Sequence, residues 1–385
     1  MKDRTLLMIP GPVEFEPDVL QAFGASTNSH VAPGFIEIFG KALQKMREVW
    51  LCPSGQPFIM AGSGTLAMDV AGANLIEPGD KALVISTGYF GDRYSDLLQR
   101  YGAEVKCLSA SVGDIVSPEE IENELKTNNY KLLTFTHVDT SSAVLVDPVP
   151  IGKLGKKYGV ITVLDGVCSV AGEEIRQEEW GIDVVLTASQ KAIGVPPGLA
   201  LLMVSDNVIN NWNRRSPVRN YYADWNNWLP VMKAYEEGKP SYFGTPPVNH
   251  ICALYTSLCH ILDEGMQKRF ERHKKTGLAV RKAIRAIGLE QLPANMDISA
   301  NTLTAPYYPD GITGQKLITE IQKAGVIVAG GLHPENRDKY FRIGHMGSVN
   351  KADILATIGA IETGLKKCGY NFETGIGVST IQDIL

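Results

Sequence analysis

Between residues 57 and 205 the chain repeats one rhythm: a short apolar run, a glycine or polar break, then a helix-like stretch. The runs are Pro57–Met60, Ala82–Ser86, Val105–Leu108, Lys131–Thr136, Val160–Leu164, Val184–Thr187 and Leu199–Val204. They are rich in Val, Ile and Leu and lack clean polar–apolar alternation, the pattern of strands buried on both faces. Among the intervening stretches, Ser117–Lys126 opens Ser-Pro-Glu-Glu, which suits a helix N-terminus. Strand and helix in alternation predict an α/β fold whose sheet is mainly parallel and joined by crossover helices.

From Pro247 the texture changes. Val248, Ile251, Leu254, Tyr255, Leu258, Ile261 and Leu262 recur at helical spacing, and basic turns continue to Ile287, predicting one long helix. Candidate strands Thr302–Tyr307, Val326–Val328 and Tyr340–Ile343 follow, and a last helix, Ala352–Lys367. The expected division is a large domain over 1–264, with the N-terminal segment, and a smaller α+β domain over 265–385. Length agrees, since 385 residues exceed one small module. A net charge of −5 without a long basic run argues against a nucleic-acid or anionic-membrane partner. No apolar stretch reaches the 18 residues of a membrane span. The six scattered cysteines form no C-x-x-C, and with no recognised targeting signal the expected compartment is the cytoplasm.

Chemistry in such a sheet sits where strands end. After Pro57–Met60 comes Ala61-Gly62-Ser63-Gly64-Thr65, then a helix-like stretch, so a phosphate site at a helix N-terminus is expected. It lacks the Gly-Lys-Ser/Thr of a P-loop, although Gly62-x-Gly64-x-x-Ala67 satisfies a loose dinucleotide fingerprint. Asp165 ends one apolar run and Lys191 closely follows another. An anion loop, a strand-end carboxylate and a strand-end lysine are the parts a pyridoxal phosphate site needs. A dinucleotide-dependent oxidoreductase would leave Lys191 and Asp165 without a task. The seven histidines show no metal-ligand spacing with the cysteines, so no metal is expected.

The chain resembles the class V pyridoxal phosphate aminotransferases, in particular the alanine–glyoxylate and serine–pyruvate group and most of all its fungal alanine–glyoxylate members. The resemblance rests on Ile9-Pro10-Gly11-Pro12, Gly62-Ser63-Gly64-Thr65, Ser86-Thr87-Gly88-Tyr89-Phe90-Gly91-Asp92-Arg93 and Thr136-His137-Val138-Asp139-Thr140-Ser141. It continues through Asp165-Gly166-Val167, Thr187-Ala188-Ser189-Gln190-Lys191-Ala192, Tyr242-Phe243-Gly244-Thr245-Pro246-Pro247 and Phe341-Arg342-Ile343-Gly344-His345-Met346-Gly347.

It implies a fold-type I pyridoxal phosphate transferase in which Lys191 is the Schiff-base lysine and Asp165 partners the ring nitrogen. Ser63, Gly64 and Thr65 would hold the phosphate with Gln190. Phe90, where related enzymes often carry Trp, would stack on the ring; Val167 would pack its other face and Thr140 would lie near its hydroxyl. Tyr242 and Thr245 match positions that reach the neighbouring subunit's phosphate, implying a homodimer with shared sites. Arg342 would clamp the substrate carboxylate, with Gly11 also at the substrate. The implied reaction is ping-pong transamination from alanine to glyoxylate, with serine the nearest alternative donor. His137 is expected to be a hydrogen-bonded strand-end residue, and His345 has no assigned role.

Overall fold

The computed structural model describes residues 5–385. Its centre is a seven-stranded sheet, labelled here in chain order: β1 (Gln56–Ala61), β2 (Lys81–Ser86), β3 (Glu104–Ser109), β4 (Leu132–Thr136), β5 (Ile161–Asp165), β6 (Val184–Ala188) and β7 (Leu199–Val204). The spatial order is β1-β7-β6-β5-β4-β2-β3. The contacts of β2 with β3 and β4, of β4 with β5 and of β5 with β6 are parallel, whereas β7 runs antiparallel to both its neighbours. Six strands therefore deliver their carboxyl ends to one edge, and β7 starts from it.

Burial explains why the apolar runs were so uniform. The strands β4, β6 and β7 are buried at every position, because helices cover both faces. Only the edge strand β3 mixes exposed and half-buried residues, Glu104 and Lys106 among them. Local chemistry fixes the helix ends. Ser117 and Glu120 form the reciprocal capping box that opens Pro118–Thr127, at 3.2 and 2.9 Å. Asp147 caps Pro148–Tyr158, and Gly159, left-handed at φ 64°, ends it.

The expected long helix after Pro247 is two helices, Val248–Glu264 and Met266–Ala286. The break is Gly265, whose φ of 83° and ψ of 134° no helix accommodates. Apolar periodicity runs straight across the break, which is why the pattern did not reveal it. The helix Lys351–Cys368 appears where expected, but a further helix, Ile376–Ile384, follows it.

Two apolar cores result. One surrounds the large sheet. The other gathers Ala279, Val280, Ile284, Leu317, Ile321, Phe341, Ile343, Ile358 and Ile361. The helix Met266–Ala286 serves both, giving Met266 and Phe270 to the first and Ala279–Ile284 to the second. The N-terminal segment also divides. Leu6–Leu7 pairs with Val326–Ile327 and Met8 enters the second core, while Val13 and Val19 enter the first. Among the described residues no helix is long and apolar enough to cross a membrane, and no His, Cys, Asp or Glu cluster suits a metal ion.

An ion cluster pins the break at Gly265. Glu264 accepts from Arg269 at 2.8 Å and from Arg272 at 2.6 Å. The buried Arg269 also donates to the carbonyls of Ala171 and Ala192, whereas Arg272 reaches those of Gly347 and Val349. Replacing Arg269 leaves the buried Ala171 and Ala192 carbonyls unpaired and takes away one of the two arginines that hold Glu264. Arg269→Met is expected to destabilise the protein by about 3 kcal/mol in denaturant unfolding; unchanged stability would contradict this account of the hinge.

Candidate active site

The carboxyl edge of the sheet gathers most of the chemistry-bearing residues. The turn after β1 leads directly into the helix Gly64–Leu75, whose N-cap Ser63 makes no side-chain capping bond. The first-turn N–H groups are thus left for an anion. Ser63 and Thr65 are exposed there, and Gly64 is buried against Val167: a Cβ on Gly64 would lie 2.8 Å from Val167 Cγ2. The Gly62 amide donates to the Gly198 carbonyl at 2.8 Å, tying this turn to the loop that follows Lys191.

Asp165 ends β5 with 2% of its surface exposed, and its Oδ1 accepts the Val167 amide at 3.0 Å. Burial pushes its carboxyl up to about 7; the nearby Asp139 adds to this, and the Val167 N–H, Lys191 and Arg93 oppose it. Lys191 is 8% exposed, and burial lowers its ammonium pKa, favouring the neutral, nucleophilic amine. Its Nζ donates to the Pro10 carbonyl. The next residue, Gly11, has a φ of 95°, and a Cβ there would stand 2.4 Å from Lys191 Cδ and 2.9 Å from Nζ. Only glycine lets the N-terminal segment lie this close to the amine. Ser189, by its bonds to Pro196 and Leu199, holds the lysine loop from behind.

Arg342 lies on Phe341–Gly344, the middle strand of a three-stranded sheet in the smaller unit. Its Nε donates to Gly330 O at 2.8 Å and Nη1 to Thr140 O at 3.1 Å, leaving Nη2 uncommitted among the described residues. Burial lowers its pKa, with Tyr340, Cys168 and Asp139 among the groups that favour its charge. Phe90 is half-buried in the first turn of the helix Tyr89–Arg100, 5.3 Å from the Tyr89 ring in an edge-on contact. Thr140 is buried three residues past His137, Val167 half-buried two past Asp165, and Gln190 half-buried beside Lys191.

Tyr242 and Thr245 stand apart. Both are exposed, Tyr242 at 64% with its ring 5.5 Å from His30, and neither bonds to the groups around Lys191. His137 is hydrogen-bonded through its backbone to Asp165 and Val146, while its buried ring has Nδ1 unpaired among the described residues; burial takes its pKa down to about 3. His345 meets Thr304 at 2.9 Å and is likewise lowered to about 3 by burial.

Three residues without an assigned role belong to this edge. Arg93 donates to Thr65 Oγ1 at 3.1 Å and sits 5.3 Å from the Phe90 ring centre. Cys168 is buried and electrostatically coupled to Lys191. Asp139, fully buried, accepts from four donors; burial pushes its pKa up and those bonds pull it down. The strand-end criterion that found Asp165 applies equally to Asp139, three residues past β4.

These residues fit pyridoxal phosphate on the structure's own terms. Among the described residues there is an uncapped helix N-terminus for the phosphate, a buried Gln190 Oε1 without a partner, and a buried Asp165 carboxyl that makes no salt bridge. A mainly parallel sheet with this edge defines a fold-type I pyridoxal phosphate enzyme.

The family follows from sequence. Residues 19–349 match Aminotransferase class-V, and the chain belongs to that family. It is 39% identical over 357 residues to alanine–glyoxylate aminotransferase 1 of Saccharomyces cerevisiae, covering 89% of this chain and 91% of that protein. Among solved structures, the alanine–glyoxylate aminotransferase of Nostoc sp. superposes with a TM-score of 0.89 at 32% identity, covering 95% of this chain and 96% of that one. The ureidoglycine–glyoxylate aminotransferase of Bacillus subtilis superposes with a TM-score of 0.93 at 26% identity, over 100% and 98% of the two chains.

The buried carboxyl has a measurable consequence in cofactor-free protein. A carboxyl raised on folding favours the protonated folded state. Its contribution to stability is whole below the unfolded value of about 4 and is lost as pH rises toward about 7. Relative to Asp165→Asn, the wild type is expected to lose on the order of 4 kcal/mol at most across that window. Unfolding both proteins at a series of pH values measures it, and a difference independent of pH would contradict the assignment. His137 and His345 titrate in both proteins and cancel.

Proposed function

We propose that the protein transfers the amino group of alanine to glyoxylate, giving pyruvate and glycine by two half-reactions at one site. The observation that carries the reading is the pairing of a neutral-leaning buried Lys191 with a buried Asp165 on the same sheet edge. The choice of substrates leans on the relatives: the yeast and Nostoc proteins are both named for alanine and glyoxylate, and the Bacillus protein for glyoxylate with another donor.

Bound here, pyridoxal phosphate supplies an aldehyde carbon for a lysine amine and a ring that accepts electrons. Ser63, Gly64, Thr65 and Gln190 would hold its phosphate, Phe90 and Val167 would flank its ring, and Thr140 would lie beside its hydroxyl. Asp165 holds a proton on the ring nitrogen; that cation is the partner its buried carboxyl lacks. Lys191 Nζ would be the base that takes the proton from the substrate Cα and the acid that gives it back as the amino group is transferred. Arg342 Nη2 clamps the carboxylate that donor and acceptor share, with the Gly11 backbone beside it. Tyr242 and Thr245 serve the phosphate of a second copy in a homodimer, which accounts for their exposure. The proposed boundary between a large domain (1–264) and a smaller one (265–385) falls at the helix break Glu264–Gly265.

An amino-donor panel with glyoxylate tests the reading. Alanine is expected to yield pyruvate and glycine, and Lys191→Ala to lower the rate by about 10³-fold or more. Retained turnover in Lys191→Ala would remove the lysine from its role; faster turnover with serine would move the donor assignment to serine.

A further inference from the structure

The segment Asp139-Thr140-Ser141 links parts of the site that come from distant stretches of chain. Asp139 Oδ2 accepts the amides of Phe90 at 3.0 Å and Gly91 at 3.4 Å. Its Oδ1 accepts the Ser141 amide at 2.8 Å and the Ser141 hydroxyl at 2.6 Å. Ser141 Oγ in turn accepts the Tyr89 amide at 3.0 Å. The first-turn amides of the helix Tyr89–Arg100 are thus satisfied by a buried carboxylate and the hydroxyl beside it, both from another loop, not by an N-cap side chain of their own.

The fit leaves no slack. A Cβ on Gly88 would lie 2.4 Å from Ser141 Oγ and 2.9 Å from Asp139 Oδ1. On its other side the same segment meets the smaller unit. The Thr140 carbonyl receives Arg342 Nη1 at 3.1 Å, and the Ser141 carbonyl receives the Tyr340 hydroxyl.

We propose that Asp139 is a positioning residue that sets the Phe90 ring against the cofactor by holding the Phe90 and Gly91 amides. The proposal rests on the reading of Phe90 as the ring-stacking residue. Asp139 touches neither the cofactor nor the substrate; it acts through the backbone of the residue that does. An asparagine at 139 keeps the size but presents one amide NH2 toward donors, so the Phe90 turn is released while the core stays filled.

The test is equilibrium binding of pyridoxal phosphate to cofactor-free protein, followed by the visible absorbance of the bound cofactor, for wild type, Asp139→Asn, Phe90→Ala and the double variant. Asp139→Asn is expected to weaken binding roughly 10- to 100-fold and to shift the absorbance band. Phe90→Ala is expected to be costly in the wild type and nearly silent in Asp139→Asn, because the ring is already misplaced. If the two losses simply add, or Asp139→Asn binds as the wild type does, the proposal is overturned while the stacking reading stands. If Phe90→Ala is silent in the wild type, the stacking reading fails and the proposal falls with it. Should Asp139→Asn not fold by circular dichroism, Ser141→Ala, which removes the bond to the Tyr89 amide, replaces it in the same cycle. A smaller loss with the same non-additivity supports the proposal, and additivity overturns it.

Discussion

The site depends on burying two ionisable groups that do not pair with each other. Removal from water pushes the Asp165 carboxyl up and the Lys191 amine down, each toward its neutral form. A neutral amine is what an attack on an aldehyde needs. A half-neutral carboxyl, in contrast, is an arrangement that a protonated ring nitrogen would relieve in the proposed reading. On that reading the cofactor-free fold carries a free-energy cost that binding would offset, coupling stability to the cofactor.

Topology delivers the groups. Because six strands share a direction, the turns after β1, β2, β4, β5 and β6 open on the same edge, although they are spread over more than a hundred residues. The reversed β7 contributes differently. It starts at that edge, and its approach through Gly198 lets the lysine loop bond to the phosphate turn at Gly62. The second half of the site comes from elsewhere: Arg342 from the smaller unit and Pro10–Gly11 from the N-terminal segment. A Cβ on Gly344 would sit 2.2 Å from the Ile9 carbonyl, so the segment runs close against the arginine's strand before reaching Lys191.

How much of this was legible in the sequence follows from which forces are local. All seven strands of the large sheet lie within a residue or so of the apolar runs that predicted them, since double-sided burial writes itself into composition. Asp165 and Lys191 were found because a charge at the end of such a run stands out. Gly265 was missed because a backbone break needs only one residue and leaves the apolar period on either side intact. The helix Ile376–Ile384 was missed because only Gly377 and Ile381 of its nine residues are buried, too few to show a period. Asp139 illustrates a subtler limit. Its sequence neighbourhood resembles that of Asp165, but its task is to satisfy amides about fifty residues earlier, a non-local relation that spacing does not encode.

In the proposed reading, Arg342 sets the terms on which substrates would be distinguished. Two of its nitrogens are spent on the Gly330 and Thr140 carbonyls, so the guanidinium is oriented before any ligand arrives. That orientation would suit a carboxylate, which the proposed substrates alanine, serine, pyruvate and glyoxylate all possess. Discrimination among them then rests on the contacts to the remaining atoms. A site that merely tolerates an added hydroxyl rejects it weakly, by about a hundredfold at most, whereas one built to bond that hydroxyl rejects its absence far more strongly. A preference for alanine over serine would therefore be a matter of degree set by local packing, while a requirement for a carboxylate would be fixed by the strand that carries the arginine.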